Sequence, residues 1–133
     1  MTITAGYSER TAVADVIDLR VPADPVYLAV IRTATAGLAA RMNLTLDEIE
    51  DMRIAVDEAC VLLLPEHPEP DQFLHAEFTV TETALDVRVS GPARRLPDGN
   101  NFAWSVLAAL AGHVQTGISD HGSWIRLTHG GRR

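Results

Sequence analysis

The spacing of hydrophobic residues along the chain predicts five strands and three helices. Apolar and polar residues alternate in five short stretches, and this pattern is typical of half-buried strands. These stretches are residues 12–21, 73–81, 84–90, 114–119 and 123–129. Apolar residues recur every three or four positions in three longer stretches, which predicts amphipathic helices over about residues 25–42, 45–64 and 102–114. Because strands and helices do not alternate regularly, we expect an α+β two-layer sandwich, with the helices packed on one face of a mostly antiparallel sheet.

The first two predicted helices carry clear signals at their starts. Asp24 followed by Pro25 is typical of an N-cap and the first helical position. Thr45 and Glu48 have the spacing of a capping box, in which each side chain accepts a hydrogen bond from the other residue's backbone. The expected core face of the first helix is Tyr27, Ile31, Ala34, Leu38 and Met42. The expected core stripe of the second is Ile49, Met52, Val56, Ala59 and Leu63.

Length and cysteine content favour one domain that folds without disulfides. The chain has 133 residues, and we expect the polar residues 1–11 to form a flexible tail before a single domain at 12–133. The single cysteine, Cys60, cannot form an intramolecular disulfide and is expected to be a small buried residue. The polar N-terminus predicts no signal peptide, and no apolar run has the length of a membrane-spanning helix. We therefore expect a cytoplasmic protein that does not enter a membrane.

The charge pattern excludes several classes of function. The formal net charge is −7, and all eleven basic residues are arginine. Because nucleic-acid binding depends on neutralising phosphates, we expect no direct contact with nucleic acid. The absence of lysine excludes a P-loop and a Schiff-base nucleophile. An acidic surface can instead steer a basic protein partner towards its binding site.

The clearest local signal for chemistry is the pair of acids Asp57 and Glu58 on the second predicted helix. Glu58 can act as a general base if a substrate lies within hydrogen-bond reach, although acids in such a pattern more often form a solvated helix face. The five histidines are dispersed along the chain, so we expect no metal site. We expect Trp104 and Trp124 to be anchors of the core.

Residues 51–64, which read DMRIAVDEACVLLL, resemble the N-box helix of the GHKL (histidine-kinase-like) ATPase superfamily. The similarity is to its branch of anti-sigma factors of the RsbW and UsfX types, in which this helix reads AVxEAxxN. Residues 55–59 match the first half of that motif, and residues 122–128 (GSWIRLT) are similar to the family's glycine–threonine strand motif. The resemblance extends over residues 13–128 and implies a GHKL (Bergerat-like) fold and a homodimer. The arginine-only, alanine-rich composition is typical of a GC-rich, actinobacterial genome.

The resemblance implies a nucleotide site that has lost essential groups in this chain. Glu58 matches the family's catalytic base, but the magnesium-ligating asparagine of the N-box falls at Leu62, which offers no oxygen ligand. The family's DxGxG motif falls at residues 90–94 (SGPAR), where Ser90 replaces the aspartate that reads the adenine amino group and Gly91 follows it. We therefore expect no cofactor, or weak binding of ATP and Mg²⁺ at most, and a kinase reaction close to abolished.

The resemblance also implies a partner-binding surface on the first helix. The family's partner-contacting arginine falls at Arg32, and Leu28, Thr35 and Ala36 lie on the same mixed face. The resulting hypothesis is an anti-sigma factor that sequesters an alternative (stress or developmental) sigma factor and is released by a STAS-type anti-sigma-factor antagonist. Two alternatives stay open: an active ATP-dependent serine kinase that phosphorylates its antagonist, and a regulatory module for a non-sigma partner or another small ligand.

Overall fold

Three helices cover one face of a five-stranded sheet in the computed structural model, which describes residues 14–130. The strands are β1 (Asp15–Pro22), β2 (Phe73–Val80), β3 (Ala84–Gly91), β4 (His113–Ser119) and β5 (Gly122–Gly130). The helices are α1 (Leu28–Ala39), α2 (Leu46–Leu63) and α3 (Phe102–Ala111), and 3₁₀ turns flank α1 at Pro25–Tyr27 and Ala40–Met42. The tail predicted at residues 1–11 lies outside the described residues.

The strands form one sheet in the order β1-β2-β3-β5-β4, and every pairing is antiparallel. A tight turn joins β2 to β3, where the Thr81 N–H donates to the Ala84 carbonyl at 3.0 Å. The final hairpin, β4–β5, then places β5 beside β3. This topology confirms the predicted α+β sandwich with its helices on one face of an antiparallel sheet.

The predicted signals at both helix starts are present in the structure. The Val26 N–H donates to Asp24 Oδ1 at 3.0 Å, so the aspartate caps the turn that leads into α1. At the start of α2, the Glu48 N–H donates to Thr45 Oγ1 at 3.1 Å, and the Thr45 N–H donates to Glu48 Oε1 at 2.8 Å. The capping box therefore satisfies two backbone donors that a helix start leaves unpaired.

The core lies between the sheet and the helix layer, with α2 at its centre. Alternate side chains of the central strands meet the helices, as the period of two in a strand requires. The largest fully buried side chains include Phe78, Ile31, Met52, Leu63, Leu74, Leu85, Leu107, Ile125 and Leu127. Four members of the stripe predicted on α2 are fully buried, while Ile49 is partly exposed. Within residues 14–130, no helix combines the length and the apolar character needed to cross a bilayer.

The predicted core face of α1 is correct in part, because Ile31 is fully buried and Ala34, Leu38 and Met42 pack against the core. The buried residues of α1 are Leu28, Ile31, Thr35 and Ala39. Tyr27, which was expected in the core, is 42% exposed. The tighter 3₁₀ turn at Pro25–Tyr27 explains the difference, because it advances three residues per turn and shifts the phase of the α-helix that follows.

Two expectations near the C-terminus also need correction. Helix α3 ends at Ala111, three residues earlier than predicted, because Gly112 has a φ of +92° and His113 already pairs with Thr128 in the sheet. Trp124 is not a core anchor but lies on the sheet face away from the helices. Its ring packs against the backbone of Gly117 and beneath the Arg88 guanidinium, which is 4.5 Å from the ring centroid.

Candidate functional site

Helix α2 carries the candidate site, and its two neighbouring acids point in different directions. Consecutive residues in an α-helix are about 100° apart around its axis. Asp57 points towards α1, where Arg32 Nε donates to its Oδ1 at 3.1 Å. Glu58 points towards α3 and lines a cavity of about 490 Å³ with Leu62, Phe102 and Val106.

The Glu58 carboxylate is exposed to solvent at the mouth of this cavity. Within residues 14–130 it makes no hydrogen bond and no ion pair. A carboxylate in this position can accept a proton or pair with a cation, provided that a partner brings the complementary group within about 3 Å.

Leu62 lies one turn after Glu58 and is partly buried. It borders both the cavity against α3 and a larger one, of about 770 Å³, formed with the loop that follows β3. Magnesium binds hard oxygen ligands in octahedral geometry, and the leucine side chain is purely hydrocarbon. The position that the resemblance assigns to a metal ligand therefore contributes an apolar surface.

The structure corrects the role expected for Ser90. Side chains alternate along β3, and Ser90 lies with Arg88 on the sheet face away from the helices, directly opposite His75 of β2. Its hydroxyl therefore does not enter the cleft beside α2. The next residue, Gly91, faces the helix layer instead and is buried.

No side chain fits at Gly91. A Cβ atom there would lie 2.6 Å from the Leu63 carbonyl oxygen, 2.8 Å from Leu63 Cβ and 2.8 Å from Leu74 Cδ2. Contacts this short require the backbone of α2 to move. The C-terminal turn of α2 therefore packs directly against the backbone of Gly91.

The loop between β3 and α3 is fastened at both ends by contacts that sequence reasoning missed. The Ala93 N–H donates to the Leu63 carbonyl at 3.1 Å, and Ser123 Oγ donates to the Ala93 carbonyl at 2.6 Å. At the other end, Trp104 Nε1 donates to the Pro97 carbonyl at 3.1 Å. No local pattern distinguishes Ser123 in the sequence, because its partner lies on a distant loop.

The four residues expected to bind a partner through α1 divide into two pairs. Leu28 and Thr35 are buried, and the Thr35 hydroxyl donates to the Ile31 carbonyl at 2.8 Å, which satisfies it inside the core. Their part in the expected binding surface is thereby corrected, because a partner cannot reach them. Arg32 and Ala36 do reach the surface, although Arg32 is already engaged by Asp57.

Cys60 lies on the buried side of α2, as predicted. Burial raises the pKa of its thiol from 9.0 to about 12, and the nearby Asp57 carboxylate contributes to the rise. Because the thiolate is the reactive form, Cys60 is not suited to act as a nucleophile.

Comparison with known proteins shows the family to which this chain belongs. A model of the histidine kinase-like ATPase domain matches residues 21–132. The serine-protein kinase RsbW of Bacillus subtilis (strain 168) is 42% identical over 79 residues, which cover 58% of this chain and 49% of the relative. RsbW of Bacillus mycoides (strain KBAB4) is 32% identical over 97 residues, or 72% and 57% of the two chains. This chain spans about half the length of the curated relatives it matches.

A solved structure has the same fold. The RsbU and RsbW domains of a Mycobacterium tuberculosis protein superpose with a TM-score of 0.66, covering 86% of this chain and 32% of the other. The sequence identity is 13%, so this match concerns the fold alone. The family's description as an ATPase domain implies a nucleotide with its metal, yet Leu62 offers that metal no oxygen ligand.

Proposed function

Because the chain belongs to the histidine kinase-like ATPase domain family, we propose that it is an anti-sigma factor that works by binding rather than by catalysis. It sequesters an alternative (stress or developmental) sigma factor through direct contact and blocks access to core RNA polymerase. A STAS-type anti-sigma-factor antagonist releases the sigma factor by competing for the same protein. We place this exchange in the cytoplasm and propose that the protein acts as a homodimer.

The observation that supports binding over catalysis is the chemistry of the α2 cleft. Phosphoryl transfer depends on a metal ion that positions and neutralises the phosphates. Leu62 supplies no ligand for such an ion, and Leu63 and Leu74 occupy the space beside Gly91. We propose that no nucleotide cofactor is needed and that regulation relies on partner exchange, or on modification of the antagonist by another enzyme.

Glu58 favours a second candidate function, a residual serine kinase. Its carboxylate is exposed beside an open cavity and is free to act as a base. In this alternative, ATP and Mg²⁺ bind weakly and the antagonist is phosphorylated. A third alternative, a regulatory module with a non-sigma partner or another small ligand, uses the same fold without either activity.

Two binding experiments separate these functions. Calorimetric titration of the full chain with ATP and Mg²⁺ is expected to give no heat of binding for the wild type. It is also expected to give none for Leu62→Asn, because the amide restores one metal ligand but Ser90 and Gly91 supply no adenine-reading carboxylate. Micromolar binding of ATP by the wild type, with phosphate transfer to the antagonist, would establish the kinase instead.

The second experiment tests the partners directly. The alternative sigma factors and STAS-domain proteins encoded in the same genome are purified and titrated into the protein one at a time. We expect one sigma factor to bind with a Kd below about 1 μM, and one STAS protein to displace it. If no sigma factor binds while another protein does, the third alternative replaces the proposal.

A further inference from the structure

Helices α2 and α3 form an apolar groove that is open to solvent. Glu58 and Leu62, one turn apart on α2, form one wall, while Phe102 and Val106, one turn apart on α3, form the other. Leu107 lies at its floor and is almost fully buried. The polar residue at its end, Asn101, already uses its side-chain oxygen to cap α3, accepting from the Ala103 N–H at 2.8 Å.

The surface of this groove is unusually hydrophobic for a solvated region. Phe102 is 78% exposed, and Val61, which lies on α2 beside the groove and not in its lining, is 48% exposed. Helix α3 reads FAWSVLAALA and contains one polar residue, Ser105. A helix that is apolar all round is normally covered on all sides, yet only Leu107 and Ala111 of α3 are buried. The composition of α3 is therefore typical of a helix whose exposed side is covered by another segment of protein.

The charge in the groove determines what kind of neighbour fits. Among the described residues that line it, Glu58 is the one charged group, and its carboxylate makes no ion pair within residues 14–130. An apolar surface laid over Glu58 would strip water from an unpaired carboxylate, which is costly. An arginine or lysine in the occupant removes that cost by forming a charge-assisted hydrogen bond.

The charge of Glu58 also disfavours a second copy of this chain as the occupant of the groove. A two-fold contact through this groove would bring two Glu58 carboxylates together, and each copy has a net charge of −7. A small ligand held in the cavity would leave Val61 uncovered. A helix of a partner protein has the length to cover both walls.

We infer that the groove between α2 and α3 binds an amphipathic helix of a partner protein, with apolar residues against Phe102 and Leu62 and a basic residue paired with Glu58. This inference rests on the proposed function, since the partner is the sigma factor or antagonist of that function. It assigns Glu58 to recognition instead of catalysis, and it adds a second surface to the one around Arg32.

The test compares groove variants with a matched surface variant in titrations against the purified sigma factor and STAS protein. Phe102→Ser and Glu58→Lys are expected to weaken binding of one of the two partners by about tenfold or more, and Glu58→Gln by a few-fold. The control is Leu46→Ser, because Leu46 is 83% exposed at the start of α2 and lies outside the groove. It is expected to bind both partners within about twofold of the wild type. Thermal unfolding of each variant checks that the fold is kept.

Each other outcome overturns the inference in a recognisable way. If both groove variants bind both partners as the wild type does, the groove is not the docking site, while the proposed function stands. If the wild type binds neither partner, the proposed function itself fails. If Phe102→Ser converts a dimer to a monomer in the absence of partners, the occupant is a second copy. If ATP and Mg²⁺ protect the groove from hydrogen exchange, the site has kept its nucleotide.

Discussion

The two sides of α2 differ in almost every physical property although they belong to one helix. On the closed side, Asp57 pairs with Arg32, Cys60 is buried, and Leu63 packs so tightly that nothing larger than Gly91 fits beside it. On the open side, Glu58 has no hydrogen bond or ion pair with any residue from 14 to 130, and Leu62 borders two cavities. The closed side stabilises the fold, and the open side leaves a carboxylate and apolar surface accessible to solvent. Substitutions at two neighbouring positions of α2 should therefore differ in their effects, one on stability and the other on binding.

The neighbouring leucines test this contrast most strongly. Leu63→Ala should lower the free energy of unfolding by about 2–5 kcal/mol, because it leaves a cavity in a fully buried position. Leu62→Ala should cost less than about 1 kcal/mol, since its side chain is already partly exposed to solvent. Urea denaturation of both variants measures the difference. Equal losses would mean that the two sides of α2 are packed alike.

Two glycines test how completely the closed side is filled. Gly91→Ala should destabilise the fold by about 1–3 kcal/mol, because its Cβ meets Leu63 and Leu74. Gly37→Ala is the matched control: it lies in α1 with nothing within 4 Å of the added Cβ. That change should stabilise the helix by about 0.5–1 kcal/mol. A Gly91→Ala variant as stable as the wild type would show that the end of α2 can move away from β3.

The buried thiol makes the closed side sensitive to high pH. Burial raises the pKa of Cys60 from 9.0 to about 12, so the folded state keeps its proton where the unfolded state has lost it. The stabilisation from the neutral buried thiol is present below pH 9 and is lost as the pH rises towards 12, at up to about 1.4 kcal/mol per pH unit.

Cys60→Ala provides the control for this prediction, because it removes the thiol but keeps the other titrating groups. Unfolding free energies of the wild type and the variant should diverge above pH 9. In the same range the folded wild type should react slowly with a thiol reagent. Parallel pH profiles would contradict the assignment of Cys60 to the closed side.

The smallest expected effect concerns the ion pair between Arg32 and Asp57. Both side chains are partly exposed, so a double-mutant cycle with Arg32→Gln and Asp57→Asn should give a coupling of about 0.2–1 kcal/mol that weakens in high salt. Glu58→Gln, on the open side, should leave stability within about 0.5 kcal/mol of the wild type. A coupling near zero in low salt would indicate that Arg32 is free to contact a partner.

Much of the fold could be predicted because its signals are local. The capping box at Thr45 and Glu48 and the turn before Ala84 depend on residues within a few positions of one another. Most of the candidate site could not be predicted in this way. Tyr27 was misplaced because it lies in a 3₁₀ turn whose phase differs from that of α1, and Ser90 was misplaced because alternation along β3 decides which residue faces the helices.

The sequence by itself therefore determined the order of the elements, the α+β class, the family and the absence of a magnesium ligand at position 62. The order and the class follow from periodicity and capping, whereas the family and the meaning of Leu62 follow from the resemblance of residues 51–64 to the N-box motif. Only the tertiary structure decided that Asp57 pairs with Arg32 while Glu58 faces the cavity beside α3, that Gly91 packs against Leu63, and that Phe102 lines a groove. Each of these depends on two elements that are far apart in the chain and meet only when the helices pack on the sheet.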